Sequence, residues 1–105
     1  MTEAIYIGQN ALLELDAFLN NKAFSKVAVL VDENTLHHCY TLVKPYLPEH
    51  DLIQIHSGEE HKTLQTCEHI WERMTELNLD RWSVLVNLGG GVIGDMGGFC
   101  AAVFK

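Results

Sequence analysis

The chain has 105 residues, 48% of them hydrophobic, which suits one compact α/β-sized domain with its own core. Its 14 acidic and 7 basic side chains give a formal charge of −7. With no run of Lys or Arg to neutralise phosphates, a nucleic acid and an anionic membrane surface are both excluded as partners. Cys39, Cys67 and Cys100 lie far apart with no CxxC pair, and the opening MTEAIYIG lacks the basic and apolar regions of a signal peptide. A reduced, soluble, cytoplasmic chain is the expectation.

Residues 4–7 form a short apolar run that reads as a first strand. Asn10 is placed to cap a helix over residues 10–20, with Leu12, Leu15 and Leu19 on one face. Residues 26–32 (KVAVLVD) are apolar almost throughout rather than alternating, the pattern of a strand covered on both faces. A helix over residues 35–47 puts Leu36, Tyr40, Val43 and Leu47 on one stripe, with a break or kink near Pro45. Residues 52–56 (LIQIH) make the third strand. Residues 63–77 make the best-patterned helix, with Leu64, Cys67, Trp71, Met74 and Leu77 at helical spacing. Residues 83–88 (SVLVNL) are a fourth buried strand, running into Gly89-Gly90-Gly91 and a last helix from Val92. This alternation predicts an open parallel, Rossmann-like sheet with helices on both faces and right-handed crossovers. The segment GGFCAAVFK is apolar nearly all round and lacks a capping glycine. The domain spanning residues 1–105 is therefore expected to be incomplete, its last helix covered by further polypeptide beyond Lys105 or by a partner chain.

The densest chemical signal is LVNLGGGVIGDMGGF. Gly89, Gly91 and Gly94 meet the spacing G-x-G-x-x-G where a strand gives way to a helix. A diphosphate needs backbone N–H groups at close range, which a Cβ would hold away, and a helix N-terminus adds partial positive charge. The turn follows the fourth strand rather than the first, and no Lys-Ser/Thr pair follows the glycines, so it is not a Walker-type loop. Asp95, one turn in, suits either a ribose hydroxyl or a helix-dipole role, and spacing does not choose between them.

In a parallel sheet the carboxyl ends of the strands share one edge, which gathers two further loops here. The loop after the second strand carries Asp32, Glu33 and Asn34. Asp32 suits a ribose diol and Asn34 an adenine or ribose edge, although helix capping is the commoner role for such residues. The loop after the third strand carries Ser57, Gly58, Glu59, Glu60, His61 and Lys62, a cluster that without the glycine turn would read as a solvated surface turn. His37, His38, His50 and His69 show no metal-ligand spacing, and the cysteines read as small buried apolar residues. The segment therefore presents no catalytic residue and no metal ligand of its own.

Taken together, VDENTL at 31–36, SGEEHKTL at 57–64 and DRWSVLVNLGGGVIGDMGGFCAAVF at 80–104 resemble the sugar-phosphate cyclase family, most closely its 3-dehydroquinate synthase branch. The likeness is strongest from Ser57 onward and weakest before Lys26. His56-Ser57 stands in place of the Pro-Asp often found there, and Met96-Gly97 varies the residues after Gly-Asp. The resemblance implies an N-terminal NAD-binding domain. Asp32 and Asn34 would lie at the adenosine end. Glu59 and Lys62 would hold the ribose and phosphate region, with Ser57, Gly58, Glu60 and His61 completing that loop. Gly90, Gly91 and Val92, continued by Ile93 and Gly94, would approach the diphosphate, and Asp95 would lie near the nicotinamide ribose. It further implies the family reaction of the shikimate pathway, on the way to aromatic amino acids. A hydroxyl of 3-deoxy-D-arabino-heptulosonate 7-phosphate is oxidised, phosphate is eliminated and the hydride is returned. The ring then opens and recloses as a carbocycle. A divalent metal, zinc or cobalt, would be held by a helical C-terminal domain outside this chain, in a homodimeric enzyme, and this segment alone would be inactive. The alternatives are another sugar-phosphate cyclase, a metal-dependent polyol dehydrogenase, or a non-catalytic α/β binding module.

Overall fold

The computed structural model describes the backbone of residues 3–6 and residues 24–104. Four strands, β1 (Glu3–Tyr6), β2 (Val27–Asp32), β3 (Asp51–Ile55) and β4 (Val84–Asn87), form one sheet in the order β1-β4-β2-β3. Every neighbouring pair is parallel, with Leu30 opposite Asn87 and Asp32 opposite Ile55. Between the strands run α1 (Glu33–His38), α2 (Tyr40–Val43), α3 (Leu64–Glu76) and, after β4, α4 (Gly91–Val103). Short 3-10 turns cover Lys44–Tyr46 and Glu59–His61. The helix expected over residues 10–20 lies outside the described residues.

The apolar strands have a direct consequence. Side chains alternate across a strand, so a run such as Val27–Asp32 must bury both faces. Ala28, Leu30, Ile53, Ile55 and Leu85 pack beneath α3 and α4, against Cys67, Ile70, Met74, Ile93, Met96 and Cys100. Val27, Val29, Val31, Val84 and Val86 face the other way, toward Val43 and the half-buried Leu36, Tyr40 and Leu47. At about 2 kcal/mol for each large aliphatic side chain removed from water, these two layers dominate the stabilisation of the sheet.

Two helices differ from expectation. The stripe over residues 35–47 starts earlier and is interrupted. Asp32 caps the start, so α1 begins at Glu33, and the helical path breaks at Cys39. Pro45 falls in the 3-10 turn, where its missing N–H cannot continue an α-helical ladder. In α3 the buried residues are Cys67, Ile70 and Met74, while Leu64 points outward. Thr63 caps this helix through Oγ1, which accepts from the Thr66 amide at 3.2 Å. Its end is marked by Asn78 in the left-handed region at φ 59.

The last helix has almost no polar face. Phe99 and Val103 are 51% and 58% exposed. Trp71 Nε1 donates to the Cys100 carbonyl at 3.1 Å and ties α3 to α4. Burial pushes the Cys100 thiol up, which suits a core residue and not a nucleophile.

One contact beneath α4 is unusually close. Asn87, only 2% exposed, lies where a Cβ on Gly97 would collide with its side-chain amide and approach Leu30 Cδ2 at 2.9 Å. Gly97 therefore lets α4 settle over a strand that ends in a polar side chain. Neither Asn87 Oδ1 nor Nδ2 has a hydrogen-bond partner among the described residues. Gly97→Ala is expected to cost about 1–3 kcal/mol of unfolding free energy through overpacking. Adding Asn87→Ala should relieve the clash, so that the double variant loses less than the two singles combined. Urea denaturation of the parent, both single variants and the double variant measures this, and simple additivity would show that the contact is unimportant.

Candidate functional site

Because β3, β2 and β4 are neighbours and run the same way, the loops that leave them meet at one edge. Asp32 ends β2 and organises the first loop. Its Oδ1 accepts from the Asn34 amide at 2.9 Å and the Thr35 amide at 2.8 Å, while Thr35 Oγ1 accepts from the Asp32 amide at 3.0 Å. The capping role is thus realised, through one carboxylate oxygen.

The first loop is fastened to the second. Glu33 Oε2 accepts from the Ser57 amide at 3.0 Å, and Oε1 accepts from the Ser57 hydroxyl at 2.7 Å. Asn34 Nδ2 donates to the same hydroxyl at 3.3 Å. The Ser57 hydroxyl, followed by the backbone amides of Glu33 and Ser57, holds the Glu33 carboxyl below its ordinary value. Gly58 then turns at φ 105, and a Cβ there would meet the Glu60 carboxylate at 2.6 Å.

The second loop is fastened in turn to the third. Lys62 Nζ donates to Asp95 Oδ2 at 2.8 Å. That hydrogen bond, then the charge of Asp95 and more weakly that of Glu59, raises the Lys62 pKa. The glycine turn itself stands open. Nothing lies within 4 Å of where a Cβ would sit on Gly90 or Gly91, and both residues are exposed. Gly90 is the N-cap of α4 and supplies no side-chain cap. The Gly94 amide is engaged with the Gly90 carbonyl at 3.0 Å, so the amides available to an anion are those of Gly91, Val92 and Ile93. The Ile93 side chain is buried in the core, leaving only its backbone for a ligand.

The fourteen residues singled out in the sequence thus lie along one edge, in three loops joined by side-chain contacts. Glu33 is not among them, and no local pattern would single it out. Its partner is 24 residues away and comes within reach only through the parallel pairing of β2 with β3. A hollow of about 530 Å³ on the outer side of α3 is lined by Glu68, Glu72 and Glu76 with Trp71 and Thr75, an acidic surface unsuited to an anionic ligand. Among the described residues no group of three or more His, Cys, Asp or Glu is arranged to hold a metal ion.

An all-parallel sheet with helices on both faces and an open glycine turn at a strand-to-helix junction defines an α/β domain of the Rossmann-like class. The 3-dehydroquinate synthase N-terminal family matches residues 52–105, and the chain belongs to that family. It is 39% identical over 103 residues to the 3-dehydroquinate synthase of Halorhodospira halophila, covering 96% of this chain and 28% of that protein. It is 34% identical over 105 residues to the 3-dehydroquinate synthase of Parabacteroides distasonis, covering 98% of this chain and 30% of that one. The chain therefore spans less than a third of the length of these relatives. Among solved structures, 2-deoxy-scyllo-inosose synthase superposes with a TM-score of 0.73 at 23% identity, covering 95% of this chain and 29% of that one. The same enzyme complexed with carbaglucose-6-phosphate, NAD+ and Co2+ gives a TM-score of 0.72 at 24% identity, covering 96% of this chain and 29% of that one. No helix among the described residues is long and apolar enough to cross a membrane.

The two ties respond to pH in opposite senses. Glu33 has a lowered pKa, so its tie is present above the ordinary carboxylate value and is lost as pH falls through the lowered one. Lys62 has a raised pKa, so its tie is complete below the ordinary lysine value and is lost as pH rises through the raised one. The Glu33 carboxyl carbon resonance should therefore titrate below the ordinary carboxylate range and the Lys62 side-chain nitrogen resonance above the ordinary lysine range. Asp95→Asn should lower the Lys62 pKa, read from its side-chain nitrogen resonance, and an unchanged value would discount the pair.

Proposed function

We propose that this chain is the NAD-binding N-terminal segment of a 3-dehydroquinate synthase, which converts 3-deoxy-D-arabino-heptulosonate 7-phosphate to 3-dehydroquinate and phosphate. The observation that carries the cofactor reading is the bare turn at Gly90 and Gly91, with uncapped amides at the head of a 13-residue helix and no side chain over them. A diphosphate fits where no Cβ intrudes. Asp95 would repel it, but Lys62 sits on Asp95 and offsets that charge. Membership of the family and 39% identity to a named synthase support the choice of reaction.

In this reading Asp32 and Asn34 face the adenosine end, with Asp32 offering the carboxylate oxygen that capping leaves open. Glu59 and Lys62 border the ribose and phosphates, alongside Gly58, Glu60 and His61. Gly90, Gly91, Val92 and the Ile93 backbone receive the diphosphate, continued by Gly94 and by Asp95 near the nicotinamide ribose. Bound NAD would supply a reversible hydride acceptor, and the protein's part here is to hold and orient it. The divalent metal, zinc or cobalt, is assigned to residues of the longer enzyme beyond this segment, as are the substrate contacts. A homodimeric, cytoplasmic enzyme completes the proposal.

A second reading, another sugar-phosphate cyclase, is favoured by the superposition on 2-deoxy-scyllo-inosose synthase, since a shared fold does not choose the sugar. The test uses the full-length protein with NAD, a divalent metal and the heptulosonate phosphate. Phosphate release with no net NADH supports the first reading. Release only from a different sugar phosphate supports the second, and net NADH from a polyol would overturn both. Within the first reading, Lys62→Ala should weaken NAD binding about tenfold, the loss of one charged contact. The same substitution should cost less in an Asp95→Asn background, because no uncompensated carboxylate remains. Calorimetric titration of NAD into the full-length variants checks this, and equal losses in both backgrounds would reject the charge-offset role.

A further inference from the structure

We infer that Glu33 is a positioning residue for the cofactor edge, a strut that holds the loop of Ser57 to Lys62 against the loop of Asp32 to Asn34. This rests on the NAD-binding reading above. The geometry is specific. Both Glu33 carboxylate oxygens are engaged by one residue, at 3.0 Å from the Ser57 amide and 2.7 Å from its hydroxyl. Asn34 Nδ2 approaches the same hydroxyl at 3.3 Å, so Ser57 is held from two successive residues of the neighbouring loop.

The strut matters because of where it stands. Ser57 is the residue before Gly58, whose φ of 105 sets the direction of the next turn. That turn carries Glu59 to His61 and delivers Lys62 to Asp95 at 2.8 Å. Released from Glu33, the loop keeps its own backbone bonds, His61 to Gly58 and Lys62 to Glu59, both at 3.0 Å. Beyond these it keeps the longer Asn34 contact at 3.3 Å and the exposed Lys62 to Asp95 pair at its far end, so the start of the turn loses its shortest tie to the neighbouring loop. Ser57, with its amide and hydroxyl both engaged, is therefore a strut partner and not a ligand contact. Glu33 itself touches the loop and not the cofactor.

The test uses the full-length protein as parent, E33A, E33Q, S57A and the E33A/S57A double variant. It reads NAD affinity by titration and hydrogen exchange of the amides of residues 57–62 without NAD. E33A and S57A are each expected to weaken NAD about three- to tenfold, as loss of an exposed charge-assisted contact predicts. The double variant should be no worse than E33A alone, because E33A removes both bonds of the strut and S57A only the one to the hydroxyl. E33Q, which keeps one acceptor, should fall between parent and E33A, and loop exchange should quicken in the same order. Additive losses, or a loss of affinity in E33A with no change in the exchange of the loop amides, would make Glu33 a direct ligand contact and overturn the strut. Parent-like NAD affinity in both single variants overturns it while leaving the NAD reading standing. A parent protein that binds no NAD removes that reading and the strut with it.

Discussion

Parallel pairing of β2 with β3 on one side and β4 on the other is the constraint on which the whole edge depends. Parallel strands cannot be joined by tight hairpins, so each must be followed by a crossover, and every loop that leaves the sheet leaves from the same end. Neighbouring strands stand about 4.8 Å apart, so three adjacent strand ends fall within about 10 Å. Side chains as long as Glu and Lys reach across that distance. The contacts from Glu33 to Ser57 and from Lys62 to Asp95 are thus products of topology before they are products of chemistry. A strand order that put β1 between β2 and β4 would carry Asp95 away from Lys62 while leaving Glu33 beside Ser57.

Electrostatics at this edge is governed by pairing more than by net charge. Asp32, Glu33, Glu59, Glu60 and Asp95 would by themselves repel any anion. The structure answers each of three in a different way. Asp32 is turned onto backbone amides, Glu33 onto the amide and hydroxyl of Ser57, and Asp95 onto Lys62. What remains facing outward at the glycine turn is a set of backbone N–H groups at a helix start. Since the side-chain ties are exposed, their value lies in holding geometry, and their contribution to overall stability is small.

Much of the architecture is legible in the sequence because its physics is local. Unbroken apolar runs at 26–32 and 83–88 have the pattern of strands buried on both faces, and the glycine run before Val92 that of a turn into a helix. The departures also have local causes. Leu64 fits a helical stripe by spacing but sits in the first turn of α3, where the chain enters from the loop and the side chain has no layer beneath it. Cys39 interrupts the helix over 35–47 although nothing in its sequence neighbourhood demands a break before Pro45. Glu33 is a different matter. Its role depends on a residue two elements away, and a contact of that kind becomes visible only once strand neighbours and register are known. The same holds for Gly97, which reads as an ordinary small helix residue until Asn87 is found beneath it.

Capping and ligand binding are alternatives for Asp32 when only its neighbours in sequence are considered, and the geometry removes the conflict between them. A carboxylate has two oxygens. Oδ1 takes both backbone amides of the cap, and Oδ2 makes no hydrogen bond among the described residues. Capping restrains the side-chain rotamer, so on the proposed reading the second oxygen is already ordered when a ligand arrives. A carboxylate that was free to rotate would have to be ordered first. On the proposed reading, the local rule that makes Asp favourable before a helix thus also preorganises it for the ligand, an advantage an unconstrained carboxylate would lack.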